Sequence, residues 1–314
     1  MKRYSFLLIL LTFILVSCEK DINLKLPEPS SKLAVHALWN KDSILEVTVT
    51  RSFNISETPR LGPNEWPEPS VMLKKYAVPN AKVIVYQNEM PYDELAYVES
   101  ALKYKSKTGK RSEADARYSV KVEVPGFEAA ASPVAAFPAK VLIQSMEVRH
   151  DVARDEFGNR LSEVTLTFND PAHTKNYYWL YFDRKHRTMP ETYLASDFFV
   201  FPIDKDVIVP VGDVIGAVVD VKHDRVIFKD DNFNGQTKRI TLRIPYWVIE
   251  ETRAGGALET SIHLRNISED VFKYVRSKVI DTDNPFSSPV QAHSNIAGGL
   301  GIFGLFAGDS RLLK

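Results

Sequence analysis

The sequence predicts a mainly β protein built as two antiparallel β-sandwich domains, with one short helix in the C-terminal half. Three observations lead there. Successive stretches alternate apolar and polar residues with a period of two, and the connections between them are polar and rich in proline, glycine or charge. A hydrophobic content of 44% with 11% aromatic residues, spread over 314 residues, is enough for more than one core. Strands joined by loops, without helices between them, suit antiparallel sandwiches and not parallel βαβ units.

Taken in order, "KLAVHALW" places Leu33, Val35, Ala37 and Trp39 on one side, and "LEVTVTR" does the same for Leu45, Val47 and Val49. "AKVIVYQ" is β-branched at its centre, and "ARYSVKVEVPG" alternates Tyr118, Val120, Val122 and Val124 with Ser119, Lys121 and Glu123. The connections "NISETPRLGPNEWPEPS" and "KYKSKTGKRSEADA" read as an irregular loop and a solvated turn region. The alanine-rich "EAAASPVAAFPAK" marks a boundary near residue 139, giving domains over 32–138 and 139–314. Beyond it, "EVTLTFND", "KRITLRIP" and "TSIHLRNIS" alternate, and "NYYWLYFD" is apolar on both faces, as a central strand requires. "RHDVARDEFGNRLSE" reads as a hairpin turning at Gly158 and Asn159. The helix is expected over about 269–279, where Ser268 can cap, Glu269 and Asp270 suit a positive N-terminus, and Val271, Phe272, Val275 and Val279 form an apolar stripe.

The first residues are of another kind. Lys2 and Arg3 precede an apolar run from Phe6 to Val16 that is short for a bilayer span, and Ser17 stands before Cys18, the single cysteine. This is the pattern of a signal peptide over 1–17, either of ordinary secretory type or of a kind processed at the cysteine. Leu15-Val16-Ser17-Cys18 resembles the bacterial lipobox, which implies cleavage before Cys18 and acylation of that residue. Multiple acyl chains anchor a protein stably where one gives marginal binding. A disulfide within the chain is excluded, since Cys18 has no partner. Residues 18–31, polar and containing Pro27 and Pro29, read as a tether. Glu19 and Asp21 resemble the export signals of surface lipoproteins in Bacteroidota. The 40 basic and 40 acidic residues balance, and Lys2 and Arg3 alone precede Cys18, so the cleaved chain carries about −2 and offers no electrostatic case for nucleic acid.

No nucleophile elbow, H-E-x-x-H or Walker loop occurs, and the seven histidines (36, 150, 173, 186, 223, 263 and 293) are too dispersed to form a local metal-ligand pair. The sequence therefore predicts no enzyme and no cofactor, while leaving open a pair of carboxylates converging from distant strands. "DDNFNGQ" places Asp230, Asn232 and Asn234 at alternate positions before Gly235, the first half of a calcium loop; Lys238 and Thr241 then stand where the second half needs ligands. A plain Asn-Gly turn fits the same residues. "SNIAGGLGIFGLFAG" carries Gly298, Gly299, Gly301, Gly304 and Gly308, but lacks the strand-helix context of a phosphate loop; it reads as a terminal strand approached closely by its neighbours. Trp66, in a loop with Pro63, Pro67 and Pro69, is a candidate contact for a partner or sugar, and could equally fold back onto the sandwich edge.

The lipobox cysteine followed by "EKDI", then "VPNAKVIVY", "YSVKVEVPGF", "FNDPAHTKNYYWL", "DDNFNG" and the ending "SNIAGGLGIFGLF" resemble, in this order, the Bacteroidota lipoproteins of domain of unknown function 4249. The resemblance implies an outer-membrane lipoprotein, facing the periplasm or the cell surface, that accompanies a TonB-dependent transporter and assists import of a small ligand. It also makes the N-terminal half similar to transthyretin-like modules beside an Ig-like sandwich. The alternative from another class is a structural or adhesive surface lipoprotein that binds proteins or matrix.

Overall fold

The computed structural model describes residues 30–53, 69–188, 193–194, 198, 200–204, 225–277 and 292–313. The segment with Cys18, most of the tether, Trp66 and the last two residues of the expected helix lie outside these. Among the described residues no helix is long and apolar enough to cross a membrane.

The N-terminal strands are β1 (Leu33–Asn40), β2 (Glu46–Arg51), β3 (Lys82–Gln87), β4 (Met90–Val98), β5 (Lys103–Ser106), β6 (Arg117–Glu123), β7 (Ala130–Ala131) and β8 (Ala135–Ala136), with helix α1 (Pro69–Tyr76) before β3. There follow β9 (Ile143–Arg154), β10 (Arg160–Asn169), β11 (Tyr177–His186), β12 (Tyr193–Leu194), β13 (Phe201–Pro202), β14 (Arg225–Lys229) and β15 (Thr237–Pro245). Helix α2 (Tyr246–Arg253), β16 (Leu258–Ile267), helix α3 (Glu269–Ser277) and β17 (Leu300–Leu312) complete the chain.

The period-two stretches form strands whose apolar side is buried. Leu33, Val35, Ala37 and Trp39 of β1 and Tyr118, Val120 and Val122 of β6 are all at most 2% exposed. They meet in one core: the Trp39 ring stands edge-on to Tyr118, centroids 4.7 Å apart, while its indole N–H donates to the Ser43 carbonyl at 2.9 Å. A second core lies between a four-stranded sheet, ordered β13-β15-β10-β9, and strands β11, β14 and β16, from which Phe168, Tyr178, Phe182, Phe228 and Leu264 interdigitate. Two lobes thus have their own cores, and the architecture is mainly β, in two sheets, and sandwich-like.

The two expected domains are not separate, however. Ser31–Lys314 is one compact unit, and one large sheet, ordered β12-β11-β16-β17-β1-β2-β5-β4-β3-β6-β7, runs through both lobes. Its link is β17, whose residues 300–306 pair with β1 and whose residues 306–312 pair with β16. The strand sends Phe303 and Leu305 into the N-terminal core, and Leu313, just after it, joins the C-terminal one. The β1–β17 pair is parallel, against the all-antiparallel expectation. Pairing between strands so far apart in the chain leaves no local sequence signal, and the period-two pattern is the same for either direction.

The glycines of β17 serve close approach, as read. Gly301 has φ +111°, and a Cβ there would lie 2.0 Å from the Val35 carbonyl oxygen. At Gly304 it would meet Val271 of α3, which packs its Val271, Phe272 and Val275 onto the outer face of the sheet. Helix α3 appears where its stripe predicts, but Ser268 does not cap it through its hydroxyl. The Ser268 carbonyl accepts the Phe272 N–H at 3.1 Å, while its buried Oγ has no hydrogen-bond partner. Among the described residues there are three α-helices where one was expected. Helix α1 begins at Pro69, a residue suited to a first helical turn yet hidden in a proline-rich loop, and α2 continues directly from a strand at Pro245 without a side-chain cap.

Candidate functional site

Strand register brings separate pieces of chain together at one end of the four-stranded sheet. Leu161 pairs with Pro245, so the tip of the β9–β10 hairpin lies beside the start of α2, and Phe201 of β13 arrives next to them by pairing with Arg243 of β15. Between them opens a cleft of about 550 Å³, lined by residues that include Asn159, Arg160, Phe201, Tyr246 and Trp247. That volume falls within the usual range for small-molecule sites, roughly 300–1,000 Å³.

The walls are held from behind. In the hairpin tip, Asp155 Oδ1 accepts the backbone N–H groups of Phe157 at 2.9 Å and Asn159 at 2.8 Å, and Oδ2 accepts Asn159 Nδ2 at 2.8 Å. The Asn159 side chain, with these backbone donors, holds the Asp155 carboxyl below its ordinary range. Gly158 and Asn159 thus make the turn that the sequence predicts. The Arg160 guanidinium lies 3.7 Å from the Tyr246 ring centroid and is tied to Asp151 at 2.8 Å. Behind Trp247 lies buried Arg184, 4.8 Å from the ring centroid and ion-paired with Glu251 of the same helix; Phe198 stands edge-on at 6.1 Å. Val248, Ile249 and Thr252 bury the other side of α2, so Trp247 is fixed although 45% exposed.

The Asp-Asn-Gly stretch does different work. Asp230 is 1% exposed, and its Oδ2 accepts the Asn176 backbone N–H at 2.8 Å and the Asn234 side-chain amide at 3.2 Å. An amide N–H therefore faces the carboxylate where a shared cation would need an oxygen, and Asn232 is exposed to solvent. Asp170 completes this junction by accepting the Tyr178 hydroxyl and the Gly235 N–H, the latter at 2.8 Å. Burial pushes the Asp170 carboxyl up against those two donors, and burial together with Asp170 pushes the Tyr178 hydroxyl up. The residues form a buried turn network, and among the described residues no three carboxylate, imidazole or thiol groups come together to hold a metal.

A second polar group lies on the outer face of the large sheet, where Tyr181 pairs with His263 and their rings stack at 4.6 Å. His263 Nε2 is 3.0 Å from Asp183 Oδ1, within ion-pair distance though outside hydrogen-bond geometry. Burial raises the Asp183 carboxyl, but His263 and Lys185 outweigh it and hold the group below its ordinary range. A carboxyl depressed on folding contributes stability that is present above its unfolded value, about 3.9, and is lost as pH falls through the folded one. Asp183→Asn is therefore expected to flatten the acid limb of Tm against pH below about pH 4. Melts followed by circular dichroism test this, and an unaltered limb would reject it.

Of the singled-out residues, Cys18 and Trp66 lie outside the described residues, and Asp230 and Asn234 share one turn that Asn232 leaves for solvent. Tyr246 and Trp247 were missed. Their signal is the aromatic pair in "IPYWVIEETR", where Val248, Ile249 and Thr252 take helical spacing directly after a strand.

No curated protein matches the chain. Among solved structures, the full-length major pilin SpaD from Corynebacterium diphtheriae is similar at 6% identity and a TM-score of 0.23, over 89% of this chain and 65% of the pilin. The chain thus spans just under two thirds of the pilin's length. The family model described as "Domain of unknown function (DUF4249)" matches residues 19–311. With a match over nearly its whole length, the chain belongs to that family.

Proposed function

We propose that the protein is a non-catalytic, lipid-anchored accessory of a TonB-dependent transporter in the outer membrane of a Bacteroidota cell, and that it captures a small ligand for import. The observation that carries the reading is the open cleft. It is aromatic, rigidly backed and of small-molecule size, and among the described residues its one lining carboxylate, Asp155, has both oxygens engaged in the hairpin turn. A lining of this kind suits binding, and among the described residues it holds no pair of carboxylates. Anchorage at Cys18, followed by the polar tether, holds this body at the membrane, on the cell-surface face. The N-terminal lobe is then a transthyretin-like support joined through β17 to an Ig-like ligand-bearing lobe.

The test is recovery of a C-terminally tagged full chain from outer membranes in mild detergent, beside Cys18→Ala, with mass spectrometry of co-purifying proteins. Stoichiometric recovery of one TonB-dependent barrel, lost in the variant, is the expected result. Recovery alone, or with diverse surface proteins, would reject the import reading in favour of the structural or adhesive one.

A further inference from the structure

We infer that the cleft beside Trp247 is a carbohydrate site, taking a neutral oligosaccharide whose sugar ring lies against the indole. The inference builds on the ligand-capture reading and names the class of ligand.

Trp247 is the first reason. A tryptophan held in place by a guanidinium and a neighbouring ring, yet 45% exposed, keeps apolar surface in water in a fixed orientation. Folding gains nothing from that exposure, whereas a ligand gains a platform already ordered. Phe201, 39% exposed, extends the apolar surface along the cleft.

Unused polar groups are the second. Among the described residues the Trp247 indole N–H donates to no group and Asn159 Oδ1 accepts from none, since the Asn159 side chain is bound to Asp155 through its amide nitrogen. One donor and one acceptor beside an aromatic face match a sugar ring, which offers an apolar C–H face edged by hydroxyls able to donate and accept. The charge balance is the third. Arg160 is already tied to Asp151 and Asp155 lies in the same lining, so among the described residues the cleft has no excess of cations with which to favour a phosphate or carboxylate ligand.

The experiment screens the full chain in detergent against an array of neutral oligosaccharides of α- and β-linked hexoses, with inorganic phosphate as the anionic comparator. Hits are titrated by calorimetry. Binding of at least one neutral glycan is expected, weakened tenfold or more by Trp247→Ala and measurably by Asn159→Ala, with both variants melting within a few degrees of the parent. No binding across the array, binding of phosphate alone, or glycan binding indifferent to both substitutions would overturn the inference. If a transporter still co-purifies while the array stays silent, the sugar assignment falls and the accessory reading stands. Glycan binding without a transporter has the opposite meaning. Should Trp247→Ala fail to fold, Asn159→Ala at the exposed hairpin tip carries the test.

Discussion

Gly301→Ala is expected to destabilise the protein by about 3–5 kcal/mol, as a strained backbone and an overfilled contact each cost roughly 1–3 kcal/mol and here coincide. The strain follows from φ +111°, which side-chain-bearing residues rarely adopt. The contact is with backbone: the added carbon would lie 2.0 Å from the Val35 oxygen and 2.8 Å from its carbonyl carbon, and β1 cannot retreat while paired with β2 on its other edge. Gly126→Ala separates the two effects. Gly126 has φ +85° but no atom within 4 Å of its added Cβ, so it should show backbone strain alone, about 1 kcal/mol or slightly more. Urea denaturation decides, with the midpoint falling much further for Gly301→Ala at an unchanged slope. Equal losses in the two variants would show that the β1–β17 contact is not tight.

The second large effect is expected at Asp230. Asp230→Ala removes the acceptor for the Asn176 backbone N–H, in a place that water does not reach, and for the Asn234 amide, which is solvent-exposed and keeps its bond to the Thr174 carbonyl. The one buried donor so stranded costs about 1–3 kcal/mol, which puts the loss near 2–3 kcal/mol. Asp230→Asn keeps one acceptor oxygen and should lose less, about 1 kcal/mol. Calcium provides the contrast between a turn network and a metal site. Millimolar calcium should leave the Tm of the parent unchanged, because Asp230 is committed to N–H donors. A calcium-dependent rise in Tm that disappears in Asp230→Asn would instead make this loop a metal site.

The sequence was readable where structure is local. Tyr118, Val120 and Val122 announce β6 because a half-buried strand must alternate, and Gly158 and Asn159 announce a turn because few residues make one so readily. The stripe of Val271, Phe272 and Val275 likewise gives α3. What stayed hidden depends on distant partners. Nothing in "LAVHALWN" tells that its neighbour is the last strand of the chain, or that the pair is parallel. Helix α2 was missed because "RIPYWVIE" continues the apolar character of β15 and the helical spacing begins without a capping residue. The cleft was missed with it. A tryptophan becomes a platform through Arg184, a residue in another strand, and composition does not register such an arrangement.

The placement of β17 also sets an order of events in time. The large sheet stays in two pieces until β17 has been laid between β1 and β16, so a chain still emerging from the ribosome cannot complete its first lobe, although that lobe's other strands precede residue 139. Contacts between the two ends of a chain form late because the loop they close is long. The delay leaves the large sheet divided until synthesis has passed β17. It also leaves the β1 edge exposed until the end, a period in which the nascent chain depends on being kept apart from its copies.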